Sequence, residues 1–564
     1  MAMNGYMTVA QYAVRQMQAW GIEVVFGVPG DTLLPLLEEL RQAGTPRFIV
    51  CRHEGAAAMM ASAYAKLTGR MAACVADAGP GAVQMLNGVY DAAMDRVPLL
   101  AITGELPTRR HGTHWPQDAD LDALYRECTA FNHTLADSAQ ACSIFTHALR
   151  RAVFAARPVR IGVPKNMWME SCGQVKVELP PRDFGGRVET RPDLIREAAA
   201  WLEAANRPVI FAGLGARGAV GPILALAEHV QAAIVHSMPA IGMIPTDNPW
   251  NLGVIGKFGT QAAADVLAQA DLILTVGTTW WQPEFVPGRA RVIQIDNTMH
   301  HIGLTFPVDL GIWGDAADVV PRILEATSRT HRPEWAERVA QARRAWDAEV
   351  AQVPMGGGPL HPAAVVANLA RHLVPDAVVA LDVGNNAFWF SRYYRGPGIR
   401  LLLSGHWRSV GFALPAGIGA KLAAPYQQVV VFTGDGGFAM SMSELATAVQ
   451  YQLPIACVIL RDGRYAEEES LQRQTGRQPF GTRLHNPDWA ALAQACGADG
   501  YRVDTFEQLT AALAQALPRL AEGRVSVLDV GIAAVEPRHA QPGTVPARDE
   551  RPLAALAMAP GSGG

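Results

Sequence analysis

The stretch that most constrains this chain is Val429–Tyr465. An apolar run, Val429 to Phe432, ends in Thr433-Gly434-Asp435-Gly436-Gly437, a helical pattern follows, and a second apolar run, Ile455 to Leu460, ends in Arg461-Asp462-Gly463. This is a βαβ unit with an acidic residue at the tip of each strand. Parallel neighbours bring their carboxyl ends together, so Asp435 and Asp462 are predicted to face one cation. The glycines beside Asp435 leave backbone N–H groups able to approach a phosphate. A lone Gly-Asp-Gly reads equally well as a turn. The second acid at the next strand tip favours a magnesium-diphosphate site, which needs hard oxygen ligands.

Composition narrows the remainder. A chain of 564 residues exceeds one ordinary core and suggests about three or four domains. With 49% hydrophobic and 18% charged residues it is globular, and a net charge of −4 leaves no basic footprint for nucleic acid. The seven cysteines are scattered without CxxC spacing, which fits reduced thiols in a cytoplasmic protein. The amino terminus lacks a signal pattern, and no run reaches about 18 apolar residues, so no membrane association is expected.

Strand-like and helical patterns alternate along the whole chain, the signature of an α/β protein. The reading gives three doubly wound parallel-sheet domains at residues 1–170, 190–335 and 360–535. Polar links are expected at Glu170–Glu189 and His331–Gly358, and a flexible tail, rich in Pro, Gly and Ala, over 536–564. In the first domain a strand ends in Cys51-Arg52-His53-Glu54, and Glu54 opens a helix of small residues suited to close packing. A first-turn Glu is commonly a surface residue favoured by the helix dipole. Downstream lie Asp77-Ala78-Gly79-Pro80-Gly81, a helix carrying Asn87 and Tyr90, and Val97-Pro98-Leu99-Leu100.

His-Glu, Gly-Pro-Gly and Val-Pro-Leu-Leu in this order, with the later Gly-Asp-Gly, resemble the thiamine-diphosphate enzymes of the acetolactate synthase and pyruvate oxidase type. The resemblance implies pyrimidine-binding, central and diphosphate-binding domains in that order. It places Glu54 on the catalytic glutamate, which hydrogen-bonds the cofactor pyrimidine and promotes deprotonation of thiazolium C2. Gln117 falls in the substrate-side loop, where Pro116 replaces a common Phe. Gly79, Pro80, Asn87, Asn385, Asn386, Val410, Gly434, Asp435, Gly436, Gly437 and Asp462 fall on cofactor-binding positions, with Val410 beneath the bent cofactor. Asp435, Asp462 and the main-chain carbonyl of Arg464 fall on the Mg2+ ligands. The departure is Arg461-Asp462 in place of Asn-Asn, which adds a negative charge that Arg461 is a candidate to offset.

In the central domain, Ile293-Gln294-Ile295-Asp296, Ile302-Gly303 and Gly314-Asp315 lie where some relatives hold FAD. Thr278 to Gln282 stands where some of these carry an Arg facing the flavin, and other relatives keep the domain as a scaffold without flavin. The implied activity is decarboxylation of a pyruvate-like 2-oxo acid, a small-molecule substrate, with transfer of the resulting carbanion to an acceptor. A flavin-linked pyruvate oxidase and a non-catalytic binding or scaffold relative remain as alternatives. The family arrangement implies a homodimer or homotetramer.

Overall fold

The computed structural model describes residues 5–175, 177–180, 188–356 and 359–543. The chain opens with β1 (Gly5–Thr8), whose Thr8 closes a reciprocal cap with Gln11 at the start of helix Val9–Ala19. Six strands follow: β2 (Val24–Gly27), β3 (Arg47–Val50), β4 (Ala72–Ala76), β5 (Leu99–Glu105), β6 (Phe131–Thr134) and β7 (Pro158–Pro164). They form a parallel sheet in the order β3-β2-β4-β5-β7-β6. β8 (Ser171–Val175) returns antiparallel to β1. The expected link at Glu170–Glu189 thus begins with a strand; residues 176 and 181–187 lie outside the described part.

The central sheet comprises β9 (Pro208–Ala212), β10 (Ala233–His236), β11 (Asn251–Val254), β12 (Leu272–Val276), β13 (Arg291–Asp296) and β14 (Leu310–Trp313). Its order, β11-β10-β9-β12-β13-β14, is doubly wound. The third sheet uses β15 (Ala377–Leu381), β16 (Ile399–Leu402), β17 (Val429–Gly434), β18 (Ala456–Arg461), β19 (Asp499–Val503) and β20 (Ser526–Gly531), ordered β16-β15-β17-β18-β20-β19. It repeats the connectivity of the first sheet. All three sheets are parallel, as predicted, because helical crossovers cover both faces and let the strands run apolar throughout.

The chain divides into two compact units. One joins the first and third sheets, residues 1–184, 354–390 and 394–537; the other holds the central sheet, residues 185–353, with 391–393 and the chain from 538 onward. In the first unit, helix Glu54–Thr68 buries nearly every side chain, six of them alanines. It can do so because glycines meet it from two directions. A Cβ on Gly88, in helix Pro80–Met94, would lie 2.5 Å from Ala58 Cβ and Met59 N, and one on Gly419, in helix Ala413–Ala423, 2.3 Å from Met60 O. One continuous apolar core therefore runs from the first sheet to the third.

Two expectations need correction. The stretch expected as a second linker contains a long helix, Pro333–Ala351. Its Trp335, Val339, Ala342 and Trp346 recur at helical spacing and are buried in the core under the central sheet, so packing of that stripe overrides the charged composition. Part of the expected flexible tail is also ordered. Ala540 N bonds Lys257 O at 3.1 Å, His539 stacks on Phe258, and Ala540 is buried, while residues 544–564 lie outside the described part.

Replacing Gly419 or Gly88 with Leu must push backbones apart. Each variant is expected to lose about 2 kcal/mol or more in denaturant unfolding. Gly221→Ala, where a Cβ meets nothing within 4 Å, is the control and should be neutral or slightly stabilising.

Candidate functional site

The strand tips singled out from sequence do meet. β17 and β18 are parallel neighbours, with Gly434 opposite Leu460, so Asp435 and Asp462 leave the sheet side by side. Asp435 is buried and closely held: Oδ1 accepts from Gly436 N at 2.9 Å, and Oδ2 from Gly463 N at 2.8 Å and Asn486 Nδ2 at 2.7 Å. Burial pushes its carboxyl up to about 6, with the Asp462 charge adding to the rise and these hydrogen bonds opposing it. Burial likewise raises Asp462, opposed by Arg464, whose Nε donates to Asp462 Oδ2 at 2.8 Å. Arg461 does not offset Asp462. Its Nε and Nη2 donate to Asp529 at 2.6 Å and Asp504 at 2.9 Å. Successive side chains of a strand point to opposite faces, which directs Arg461 away from Asp462.

A pocket opens where the third sheet reverses its winding, between β15 and β17, the usual crevice of doubly wound sheets. Asn385, Asn386, Val410, Gly434, Asp435, Gly436, Gly437, Asp462 and Arg464 all line it. Asn386 Nδ2 donates to Asp382 O at 2.7 Å, whereas Asn385 Oδ1 is buried without a hydrogen-bond partner. Such an atom in a pocket wall suits a ligand donor. Gly436 and Gly437 have a second reason to be glycine: a Cβ there would lie 2.6 Å from the Tyr465 ring or from the Asp382 carboxylate. Asp382, unassigned from sequence, ties the crevice together. Its Oδ1 accepts from Gly411 N at 2.9 Å and its Oδ2 from Thr433 Oγ1 at 2.8 Å, which fixes the turn presenting Val410. Two carboxylates in a glycine-lined crevice supply oxygen donors of the kind that Mg2+ takes beside a phosphate.

In the first domain the structure assembles a second group at the carboxyl edge of the sheet. Glu54 begins its helix with His53 as the cap, and its Oε1 lies 3.0 Å from where a Gly81 Cβ would stand. Gly79 has φ +64° and its missing Cβ would approach Gln117 O at 2.7 Å, so Glu54, Gly79, Pro80 and Gln117 are neighbours. Asn87 has partners at both ends of its amide: Nδ2 donates to Ser409 Oγ at 3.0 Å, and Oδ1 accepts from Trp407 Nε1 at 2.7 Å. It latches the helix to the loop that precedes Val410.

Sequence reasoning missed Glu444. This carboxylate, fully buried on helix Glu444–Gln450, accepts Arg52 N at 2.9 Å and His53 N at 3.0 Å through Oε1, and Thr447 Oγ1 at 2.7 Å through Oε2. Burial raises it, opposed by those same donors. It holds the segment immediately before Glu54 from across the interdomain core. Its partners lie almost four hundred residues away in the chain, so no local pattern announces it.

Residues 7–124, 195–323 and 382–530 match, respectively, the N-terminal TPP binding domain, the central domain and the C-terminal TPP binding domain of thiamine pyrophosphate enzymes. The chain belongs to this family. It is 30% identical to sulfoacetaldehyde acetyltransferase of Rhodobacter capsulatus over 93% of this chain and 94% of that protein. It is 31% identical to acetolactate synthase of Mycobacterium bovis (90% and 86% covered) and 29% identical to pyruvate oxidase of Lactiplantibacillus plantarum (89% and 85% covered). Thiamine diphosphate is thus its cofactor class, and both predicted residue groups fall inside the matched TPP domains.

In the central domain the polar side chains Gln294 and Asp296 have internal partners. The Gln294 carboxamide is engaged throughout, donating to Thr278 O and His301 O at 3.2 Å and accepting from Gly303 N at 2.9 Å. Asp296 Oδ1 accepts from Thr298 N at 2.9 Å and lies 3.2 Å from His301 Nδ1. The glycine turn after β9 is packed on backbone, since a Gly213 Cβ would lie 2.2 Å from Gly277 O. Among the described residues, no helix is long and apolar enough to cross a membrane.

Glu444→Ala would remove the buried acceptor of the Arg52 and His53 N–H groups and is expected to cost about 1 kcal/mol or more in denaturant unfolding. Glu444→Gln keeps an acceptor for both and should stay within about 1 kcal/mol of the parent.

Proposed function

We propose that this chain is a Mg2+- and thiamine-diphosphate-dependent enzyme that decarboxylates a pyruvate-like 2-oxo acid and transfers the resulting carbanion to an acceptor, as acetolactate synthases do. The observation that carries this reading is the crevice between β15 and β17. There Asp435 and Asp462 stand at adjacent strand tips beside glycines and the unpartnered Asn385 Oδ1. Asp435, Asp462 and the Arg464 carbonyl would hold the metal; Asn385, Asn386 and Gly434–Gly437 would face the diphosphate; Val410 would support the bent cofactor. When bound, the cofactor supplies the electron sink that decarboxylation of a 2-oxo acid requires.

Glu54 would hold a proton for the pyrimidine ring of the bound cofactor. Gly81 leaves room for its carboxylate, and the Glu444 clamp fixes its approach. Gln117, exposed on its loop, would meet the substrate. Pro116 gives that side a smaller, rigid wall than an aromatic ring. Among the described residues, the crevice is lined by the third domain alone, which supports a site completed by the first domain of another subunit, in a homodimer or homotetramer. Free cysteines, five of them buried, agree with a cytoplasmic setting.

Glu54→Gln is expected to keep cofactor affinity and lose C2 proton exchange, measured by NMR in deuterated buffer. Unchanged exchange would remove Glu54 from the mechanism. Incubation with a panel of 2-oxo acids should release carbon dioxide and give a carboligation product. Pyruvate-dependent dye reduction by a yellow, flavin-containing protein would instead establish the oxidase reading, and no binding of thiamine diphosphate with Mg2+ in calorimetry would leave a scaffold.

A further inference from the structure

We propose that the Arg464 side chain is a positioning residue for the metal site: its guanidinium fixes the Asp462 carboxylate and cancels the charge that Asp462 adds where the resemblance expects a neutral Asn. The inference rests on the Mg2+ site proposed above. It assigns to the Arg464 side chain a role separate from that of its carbonyl.

Arg461 is excluded by its own bonds to Asp529 and Asp504. Arg464 is suited in three respects. Its side chain is only 4% exposed, so its charge is poorly screened by water. Gly463, at φ +71°, turns the backbone between the two residues, and Nε of Arg464 then meets Asp462 Oδ2 at 2.8 Å. Its far side is anchored, with Nη1 on Glu469 Oε1 at 3.0 Å and 3.7 Å from Glu536 Oε1, while its backbone bridges Arg483. Glu469 has Arg473 Nη2 at 2.7 Å as a second partner, so it does not account for Arg464 by itself. The charges agree. Asp435 and Asp462 together with Arg464 carry a net −1, the value that Asp435 would have beside a neutral Asn.

A buried pair of this kind is costly to break by removing one partner and tolerant of removing both. The test uses the full-length protein and compares wild type, Asp462→Asn, Arg464→Gln and the double variant. Calorimetry measures Mg2+ affinity at saturating thiamine diphosphate, and melting temperature is recorded without ligands. Asp462→Asn, the mildest change, should weaken Mg2+ about tenfold or more, because the site loses one negative charge while Arg464, still held by Glu469, stays beside the cation. Arg464→Gln should weaken it as well, by releasing Asp462. The double variant should recover to within about threefold of wild type, the non-additivity expected of a coupled pair.

Wild-type Mg2+ affinity in Asp462→Asn would overturn the proposal. So would a double variant no better than Asp462→Asn, or an Arg464→Gln protein whose melting temperature falls while Mg2+ affinity holds. If Arg464→Gln fails to fold, the Asp462→Asn measurement still decides. Wild-type protein that binds no thiamine diphosphate with Mg2+ would defeat the proposed function itself, a result distinct from the others, in all of which the parent binds normally.

Discussion

The first unit depends on the backbone contact made by the helix that begins at Glu54. Six of the fifteen residues of this helix are alanine and bury little apolar area each, so there its stabilisation comes from close approach, which requires neighbours without side chains where backbones meet. Gly88 and Gly419 meet that requirement from two directions. Because the same helix starts with Glu54, the packing that holds the first and third sheets in one core also sets where this carboxylate emerges. The Glu444 clamp acts on the same segment from its other end, pairing the last two backbone N–H groups before Glu54 with a buried acceptor.

The crevice of the third sheet shows a second economy. Asp382 sits at the end of β15 and uses both carboxylate oxygens internally, one for the turn carrying Val410 and one for β17. The acids that face the pocket are thereby separated from the acid that builds it. Asp435 is aligned by Gly463 and Asn486, groups drawn from two loops beyond β18, so the metal-facing geometry depends on the whole carboxyl edge of the sheet. A lone Gly-Asp-Gly turn would need none of these partners.

Much of this was legible beforehand. The apolar runs and glycine turns predicted parallel α/β sheets, and strand tips spaced by one crossover predicted the meeting of Asp435 and Asp462. Glu54, the Gly79-Pro80-Gly81 turn and Gln117 were named separately and proved to be neighbours, since each follows a strand of one sheet. The misses share a cause. The helix Pro333–Ala351 was hidden by its charged face, although Trp335, Val339, Ala342 and Trp346 carried a helical stripe. Glu444, unassigned from sequence, makes its hydrogen bonds to the backbone of Arg52 and His53, partners almost four hundred positions away.

What the sequence determined by itself was periodicity and local chemistry: which runs are strands, where they end, and which residue types stand at those ends. These depend on neighbours a few positions apart. What only the tertiary structure decided was pairing among charged and amide side chains. The sequence offered Arg461 as the counter-charge for Asp462 because it is adjacent, yet alternation along β18 turns it toward Asp529, and a glycine turn brings Arg464 back instead. Electrostatic partners are chosen by distance in space: strand alternation sends Arg461 to Asp529, 68 positions away, while the turn at Gly463 folds Arg464 back onto Asp462.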